Sequence, residues 1–245
     1  MDLAEYEIMY GVEDRHWWYV SLRAMIQRMM ERHNGENKHR LLDVGCGTGA
    51  NLACFGGNEA YGVDYSPVAL TFCARRGLSR LMAASAASLP FEDDTFDVVL
   101  CMDVLAHQSM PDKRGPAREL VRVLRPGGML YLNVPAFQWL YSSHDEHVQT
   151  DHRFTRGEIA GLLTETGLEV LEAVYWNTLL FPAMAGIRLW RRICPPRAGS
   201  DLACGVTWWQ NALFGGAAAC ERGLSACIKL PFGLSIMTAA RKPGV

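Results

Sequence analysis

The chain has 245 residues, which is enough to bury a full hydrophobic core in one domain carrying an elaboration. Its formal net charge of -2 does not create a positive potential that would attract phosphate groups, so we do not expect nucleic acid to be the main partner. The eight cysteines include no CxxC pair and no clustered histidines that complete a zinc site, which predicts reduced cysteines and no metal. An acidic N-terminus, and apolar stretches shorter than the roughly 20 residues of a membrane-spanning helix, predict a cytoplasmic protein.

Aromatic and aliphatic residues recur at helical spacing over residues 12–33, which predicts one front helix. Short apolar runs follow, each ending at a turn or a small polar residue, as buried parallel strands do. These runs are LLDV, YGVD, DVVLCMD and MLYLNV. Residues 49–55, 67–76 and 116–124 are the predicted crossover helices between them. The repeated strand-helix-strand pattern predicts a doubly wound parallel sheet of the α/β class.

The C-terminal part begins with a predicted capping box, in which Thr155 and Glu158 open a helix that Gly167 closes before the strand LEVLEAVYW. LSIMTAARK is the predicted last strand, and residues 177–233 between these two strands form an insertion. Its prolines at positions 182, 195 and 196 predict several short helices rather than one long helix. We therefore divide the single domain into a front lid helix (1–36), a cofactor-binding core (37–176), a helical insertion (177–233) and a last strand with its tail (234–245).

The strongest local motif is LLDVGCGTGANL, in which a buried strand runs into Gly45, Gly47 and Gly49. The spacing is GxGxG rather than the GxGxxG of a dinucleotide site, and it favours a cofactor with an amino-acid tail. Asp43 would hold charge near the amino group of such a cofactor. Asp64 ends the next strand, where a carboxylate can accept both hydroxyl groups of an adenosine ribose. The alternatives are a tight turn that binds no ligand and an N-cap role for Asp64.

The chain resembles class I S-adenosylmethionine-dependent methyltransferases, specifically the methyltransferase type 11 group, over roughly residues 40–176. Four segments carry the resemblance, namely LLDVGCGTG, YGVD, SLPFEDDTFDVVLCMDVLAH and ELVRVLRPGGMLYLNVP. It implies a Rossmann-like, mostly parallel sheet of seven strands, with helices on both faces and a C-terminal antiparallel hairpin. It also implies S-adenosyl-L-methionine as methyl donor and S-adenosyl-L-homocysteine as product.

The resemblance implies further contacts with the donor. The family usually has an acid facing the adenine, and Ser85 stands there in this chain, which leaves the contact to Ser85 and the backbone of Ala86. Cys101, Met102 and Asp103 are implied to line the donor cleft, with core packing as the alternative for Cys101 and Met102. The predicted cofactor-binding set is Asp43, Gly45, Gly47, Gly49, Asp64, Tyr65, Ser85, Ala86, Cys101 and Met102.

The candidate acceptor site is the loop at 142–156, because substrates of such a sheet bind beyond the carboxyl ends of its strands. Similar methyltransferases carry an HD pair and a following HR pair here, which implies pocket roles for His144, Asp145, His152 and Arg153. We predict His144 as the base for a hydroxyl acceptor and Arg153 as an anion or orientation anchor. In the alternative, Asp145 caps a turn and Arg153 bonds backbone carbonyls. A metal site is the weaker interpretation, because no histidine pair here has i, i+4 spacing.

A segment near the N-terminus resembles cofactor-covering segments of related methyltransferases, which implies a lid made of Tyr10, His16, Trp17 and Trp18. For the insertion we place an acceptor lid or homodimer contact ahead of a peripheral membrane contact. We predict O-methylation of a small molecule or secondary metabolite. The alternatives are N- or C-methylation, a peptide or lipid-linked envelope glycan as acceptor, a non-catalytic binding module, and an NAD-dependent oxidoreductase.

Overall fold

The computed structural model describes residues 3–33, 40–193, 206–224 and 230–244. Within these ranges one sheet of seven strands forms the centre of the molecule. The strands are β1 (Leu41–Val44), β2 (Ala60–Asp64), β3 (Leu81–Ala83), β4 (Phe96–Met102), β5 (Leu124–Pro135), β6 (Glu169–Trp176) and β7 (Ser235–Arg241). The helices are α1 (Leu3–Val12), α2 (Trp17–His33), α3 (Ala50–Phe55), α4 (Pro67–Arg75), α5 (Arg114–Val123), α6 (Ser143–His147), α7 (Arg156–Glu165), α8 (Phe181–Ile193) and α9 (Trp208–Leu224).

The strand order across the sheet is β3-β2-β1-β4-β5-β7-β6. The first five strands are mutually parallel, whereas β7 is antiparallel to both of its neighbours, β5 and β6. This arrangement confirms the predicted α/β sheet and its antiparallel C-terminal pair. The carboxyl ends of β1, β2 and β4 consequently meet at one edge of the sheet, which is where the predicted site residues stand.

The core lies on both faces of the sheet, because alternate strand residues point to opposite sides. Leu42 of β1 packs into the cluster that contains Leu120 of α5 and Ile159 of α7. Leu41 packs into the opposite cluster, together with Ile26 of α2. All four residues of β1 are buried, so this short strand is the central support of the edge described below.

The front of the molecule differs from the prediction, because residues 12–33 do not form one helix. α1 ends at Val12 and α2 begins at Trp17. Glu13 turns inward at the break and is buried, and the Trp17 backbone N–H donates to Asn211 Oδ1 over 2.7 Å. The first turn of α2 is therefore capped by a residue far away in the sequence, a contact that helical periodicity does not reveal.

Two other regions refine the prediction. β3 was not predicted; it has three residues, none of them buried, and it pairs only with β2. The described part of the insertion contains α8 and α9 rather than one long helix, and Pro182 lies in the first turn of α8, where proline is tolerated. Pro195 and Pro196 lie outside the described residues. None of the helices in the described ranges has the length and apolar character needed to cross a bilayer.

Candidate functional site

The turn after β1 requires its glycines for reasons internal to the protein. The φ angles of Gly45, Gly47 and Gly49 are all positive, at 72°, 54° and 88°. A Cβ at Gly45 would clash with a methyl carbon of Val104, and a Cβ at Gly49 would lie 2.7 Å from Leu78 Cδ1. At these two positions it is the protein's own side chains that leave no room for a β-carbon.

Asp64 fastens this turn to the end of β2. Its Oδ2 accepts a hydrogen bond from the Gly47 backbone N–H over 2.9 Å, and its Oδ1 accepts one from Ser66 N–H over 2.9 Å. Burial is the main cause that raises the pKa of the Asp64 carboxyl. Ser85 and the buried Ala86 follow directly on the chain after Ala84, whose N–H donates to the Asp64 backbone oxygen over 3.1 Å.

Tyr65, the residue after Asp64, is 76% exposed and is the most open of the predicted cofactor residues. Cys101 is fully buried in the core cluster behind β1, as the packing alternative expected, and burial raises the pKa of its thiol. Met102 is half-buried and packs against the opposite cluster. The three residues therefore differ widely in solvent exposure, although all of them lie at the carboxyl ends of β2 and β4.

Asp43 of β1, just before the turn, has a buried carboxylate with an unsatisfied oxygen. Its side chain is buried, and its Oδ2 accepts no hydrogen bond from any residue that the structure describes. Burial first, and then the nearby carboxylates of Asp64 and Glu13, raise the pKa of Asp43 to about 8. A buried carboxyl without a donor is costly, so this atom is suited to meet a cationic or hydrogen-bonding group of a ligand.

Asp103 lies directly after β4, with a positive φ of 62°. Its Oδ1 accepts a hydrogen bond from Asn133 Nδ2 over 2.8 Å, and burial raises the pKa of its carboxyl to about 7 although Asn133 and Arg153 oppose the shift. Asn133 is itself held by Trp176, whose Nε1–H donates to Asn133 Oδ1 over 2.9 Å. The carboxylate is thus fixed at the sheet edge by a side-chain network from three strands.

Helix α1 lies across the glycine turn and α4. Tyr6 stacks on Phe72 of α4 with ring centroids 6.5 Å apart. Glu13, just past the end of α1, accepts hydrogen bonds from the Thr48 hydroxyl and, over 2.7 Å, from Arg76 Nη2. Glu13 was missed at the sequence level because its partners are far along the chain.

Tyr19, another missed residue, faces the same group of acids. Burial first, and then the carboxylates of Glu13, Asp103 and Glu5, raise the pKa of its hydroxyl. The Tyr19 hydroxyl therefore lies within electrostatic range of acids from α1 and from the end of β4. A sequence signal was available, since Tyr19 lies in the aromatic segment that suggested the lid, but its orientation depends on where α2 begins.

The predicted lid residues contact different parts of the structure. Tyr10 packs on Phe72 at 5.2 Å between ring centroids, and His16 Nδ1 accepts from Trp18 N–H over 3.3 Å. Burial lowers the pKa of His16. The two adjacent tryptophans diverge. Trp17 meets Phe214 of α9 at 5.5 Å, while Trp18 stacks on Trp176 of the sheet at 4.8 Å.

The acceptor loop is built around a buried ion-pair cluster. Asp145 is 1% exposed, and its Oδ1 accepts from Arg153 Nε over 2.8 Å while its Oδ2 lies 3.3 Å from Arg188 Nη1 of α8. Arg153 also donates to the Ala136 carbonyl over 3.0 Å. Asp145 completes a capping box with Ser142 at the start of α6. This geometry matches the structural alternatives given for Asp145 and Arg153.

The two predicted histidines of the loop lie apart. His144 is half-buried in α6, one residue before the ion-pair cluster. His152 Nε2 lies 2.6 Å from Glu158 Oε1 and faces an open cleft of about 480 Å³ between α5 and α7. In the described part of the chain the lining of this cleft includes neither Asp43 nor Asp103. The structure therefore does not bring His152 to the carboxylates at the strand ends.

Residues 42–132 match the family model described as "Methyltransferase domain". Among curated proteins, the chain is 28% identical over 216 residues to 24-methylenesterol C-methyltransferase 2 of Oryza sativa subsp. japonica, covering 78% of this chain and 54% of that protein. It is 39% identical over 103 residues to the chloroplastic tocopherol O-methyltransferase of Arabidopsis thaliana, covering 38% of this chain and 29% of that protein. The chain thus spans about half, or less, of the length of these relatives.

The fold has a solved counterpart in phosphoethanolamine N-methyltransferase 2 of Haemonchus contortus, whose structure was determined in complex with S-adenosyl-L-methionine. The TM-score is 0.57 at 20% identity, over 90% of this chain and 52% of that one. At this identity the likeness concerns the fold alone. Sequence match and fold agree: residues 42–132 are similar to a methyltransferase domain, and the fold of the described residues is similar to that of a methyltransferase solved with S-adenosyl-L-methionine.

Proposed function

We propose that this chain transfers a methyl group from S-adenosylmethionine to an oxygen atom of a small-molecule acceptor. The observation that carries the proposal is the set of buried carboxylates at the glycine turn, above all the unpartnered Asp43 Oδ2. Burial raises the pKa of Asp43, Asp64 and Asp103, and at Asp43 the neighbouring carboxylates of Asp64 and Glu13 raise it further. A ligand that brings positive charge favours the ionised form of these groups, and S-adenosylmethionine has both an ammonium and a sulfonium group.

The donor-side residues fit this ligand in detail. Asp43 would face the ammonium group, where a charge-assisted hydrogen bond satisfies its free oxygen. Each Asp64 oxygen already accepts one backbone N–H, and each keeps a second lone pair for a ribose hydroxyl. Ser85 and Ala86, which follow Ala84 next to Asp64, would face the adenine, and the exposed Tyr65 follows Asp64 on the chain.

The chain's own groups must then place the acceptor and take its proton. The bound donor supplies an electrophilic methyl group, so positioning and proton transfer are the main remaining tasks. Asp103 is our first candidate for proton acceptor, because the pKa of its carboxyl is about 7 and Asn133 fixes its orientation. His144 in α6 is the second candidate.

Asp103→Asn compared with His144→Gln separates these two candidates. Loss of a general base slows methyl transfer by roughly 100-fold or more. We expect kcat to fall in this range for Asp103→Asn, with donor affinity retained, and to change little for His144→Gln. The opposite ranking would move the base to His144. Equal, unchanged rates in both variants would contradict an acceptor that loses its proton to either group.

A small acceptor is supported by composition and by two of the relatives, although other relatives are named as probable tRNA methyltransferases. The formal charge of -2 does not favour nucleic acid. The two curated relatives described above are named for a sterol and a tocopherol, both small molecules. They differ in the atom methylated, carbon in one and oxygen in the other; a carboxyl with a pKa of about 7 at Asp103 can accept the proton that a hydroxyl acceptor loses.

The test is transfer of a labelled methyl group from S-adenosylmethionine by the purified chain to host extract, separated into aqueous, lipid and RNA fractions. Asp43→Asn should abolish or strongly reduce labelling. Asp93→Asn, which changes an exposed carboxylate before β4, should not. Label in the aqueous or lipid fraction supports a small acceptor. Label confined to RNA contradicts it, and tight donor binding without any label would indicate a binding module.

A further inference from the structure

Helix α9 in the insertion exposes its apolar side chains to solvent, which is the reverse of an ordinary surface helix. Its solvent-exposed positions are Trp208, Trp209, Ala212, Leu213, Gly216, Ala219, Cys220, Gly223 and Leu224. These positions recur at helical spacing and share one face. The exposed fractions of Trp208 and Leu213 are 84% and 60%. Over the whole of α9, which the structure describes in full, this outward face contains no charged residue.

The polar residues of α9 face the protein instead. Asn211 Oδ1 accepts the Trp17 N–H at the start of α2, and the buried Glu221 accepts the Leu179 N–H over 3.0 Å. The carbonyl of Arg222 accepts a hydrogen bond from Arg28 of α2. A surface helix of a water-soluble domain has the opposite arrangement, so the outer face of α9 is suited to an apolar environment.

Helix α8 also exposes large apolar side chains to solvent. Ile187, Leu189 and Trp190 are 44%, 45% and 65% exposed. Arg191 and Arg192 follow Trp190 in the last turn of α8. Exposed tryptophans next to basic residues are characteristic of helices that lie in a membrane interface, since the indole ring is apolar with one polar N–H.

The insertion and the rest of the chain have net charges of opposite sign. Residues 177–233 contain 6 Lys and Arg and 2 Asp and Glu, a net charge of +4. The whole chain has 24 basic and 26 acidic residues, so the remainder has 18 and 24, a net charge of -6. A surface of anionic lipid complements the insertion. A second copy of the same insertion does not, because the two positive segments would repel each other.

We propose that α8 and the outer face of α9 dock on the surface of an anionic lipid bilayer. α9 has 17 residues and is therefore about 25 Å long, lying in the plane of the interface with its apolar face toward the acyl chains. The proposal goes beyond the proposed methyl transfer and does not depend on it. Through Trp17 and Asn211, α9 is joined to α2, so docking would orient the carboxylate site relative to the membrane.

The experiment is co-sedimentation of the full chain, without donor, with vesicles of phosphatidylcholine alone or mixed with phosphatidylglycerol. Leu213→Glu places a charge in the outer face. Ser79→Glu makes the same charge change on an exposed residue before β3 and serves as the matched control. Leu213 is largely exposed, so both variants should melt at the wild-type temperature.

We expect the wild type to bind mixed vesicles roughly tenfold or more tightly than neutral vesicles, with weaker binding at high salt. Leu213→Glu should weaken binding to mixed vesicles by roughly tenfold or more, while Ser79→Glu matches the wild type. Failure of the wild type to bind mixed vesicles, or equal binding by Leu213→Glu, would overturn the proposal. So would a wild-type dimer in vesicle-free sedimentation that Leu213→Glu dissociates, because the occupant would then be a second copy.

Discussion

Two buried carboxylates near the same edge of the sheet have opposite surroundings. Asp145 lies between the guanidinium groups of Arg153 and Arg188, and both of its oxygens are engaged. Asp43 forms no ion pair with any residue that the structure describes, and one of its oxygens has no hydrogen-bond donor. A buried charge needs compensation from somewhere. The protein supplies it internally at Asp145, whereas at Asp43 we propose that the bound donor supplies it.

Removing Asp145 should have the largest effect. Asp145→Ala removes the carboxylate that pairs with the buried Arg153 and the half-buried Arg188, and should lower the free energy of unfolding by about 3–5 kcal/mol. Urea denaturation measures it. The control is Glu165→Ala, which breaks the ion pair with Arg114, where both side chains are about 60% exposed. It should cost at most about 0.5 kcal/mol. Similar losses in both variants would remove the distinction between buried and exposed pairs.

Asp43→Asn should affect ligand binding and not stability. Loss of a charge-assisted hydrogen bond to a ligand corresponds to a roughly 10- to 100-fold rise in the dissociation constant for S-adenosylmethionine. The free energy of unfolding without donor should not fall, because the variant removes a carboxyl that is costly to ionise in its buried position. Titration calorimetry and urea denaturation give the two quantities. Unchanged affinity would show that Asp43 does not meet the donor.

The pH dependence of stability should show the same contrast. The pKa of Asp43 is about 8 in the folded chain, against an ordinary value of 3.8. Between these values the folded state binds more protons than the unfolded state, so the free energy of unfolding of the donor-free protein should fall as pH rises. Asp43→Asn should flatten this fall. Donor binding at neutral pH should also release a proton, detectable as a calorimetric heat that depends on the buffer.

His152→Gln should have the smallest effect. The pair between His152 and Glu158 is 35% and 45% exposed, and such pairs contribute about 0.5 kcal/mol or less. Melting temperature and turnover should both remain close to wild type. A marked loss of turnover with normal stability would instead make the cleft between α5 and α7 part of the acceptor site.

Much of the fold could be predicted because its signals are local. The buried strand LLDV, the glycine turn after it and the capping box of Thr155 and Glu158 lie within a few residues of their partners. Asp64 could be found for the same reason, since it stands at the end of a strand whose length the apolar run defines. The family resemblance then provided the number of strands and the antiparallel C-terminal pair.

The remaining features depend on contacts between distant parts of the chain. Glu13 meets Thr48 and Arg76, and Asn211 caps the helix that begins at Trp17. Periodicity shows that a helix is amphipathic but not which of its faces meets the protein, so the reversal of α9 was not visible. The pairing of Arg153 with Asp145 was also open, because a loop sequence does not determine which side chains turn inward.

The insertion leaves and re-enters the sheet at one point. Trp176 and Ser235 are paired across β6 and β7, the Leu234 N–H donates to the Trp176 carbonyl over 3.0 Å, and the Thr178 hydroxyl donates to the Phe232 carbonyl over 2.6 Å. The pairing of β6 with β7 therefore continues up to the point where the insertion begins. The entropic cost of joining the two strands rises by only about 0.6 kcal/mol for each doubling of the length of the connection. The length of the insertion can therefore vary at little entropic cost, provided that the contacts of Asn211 with α2 and of Arg188 with Asp145 are kept.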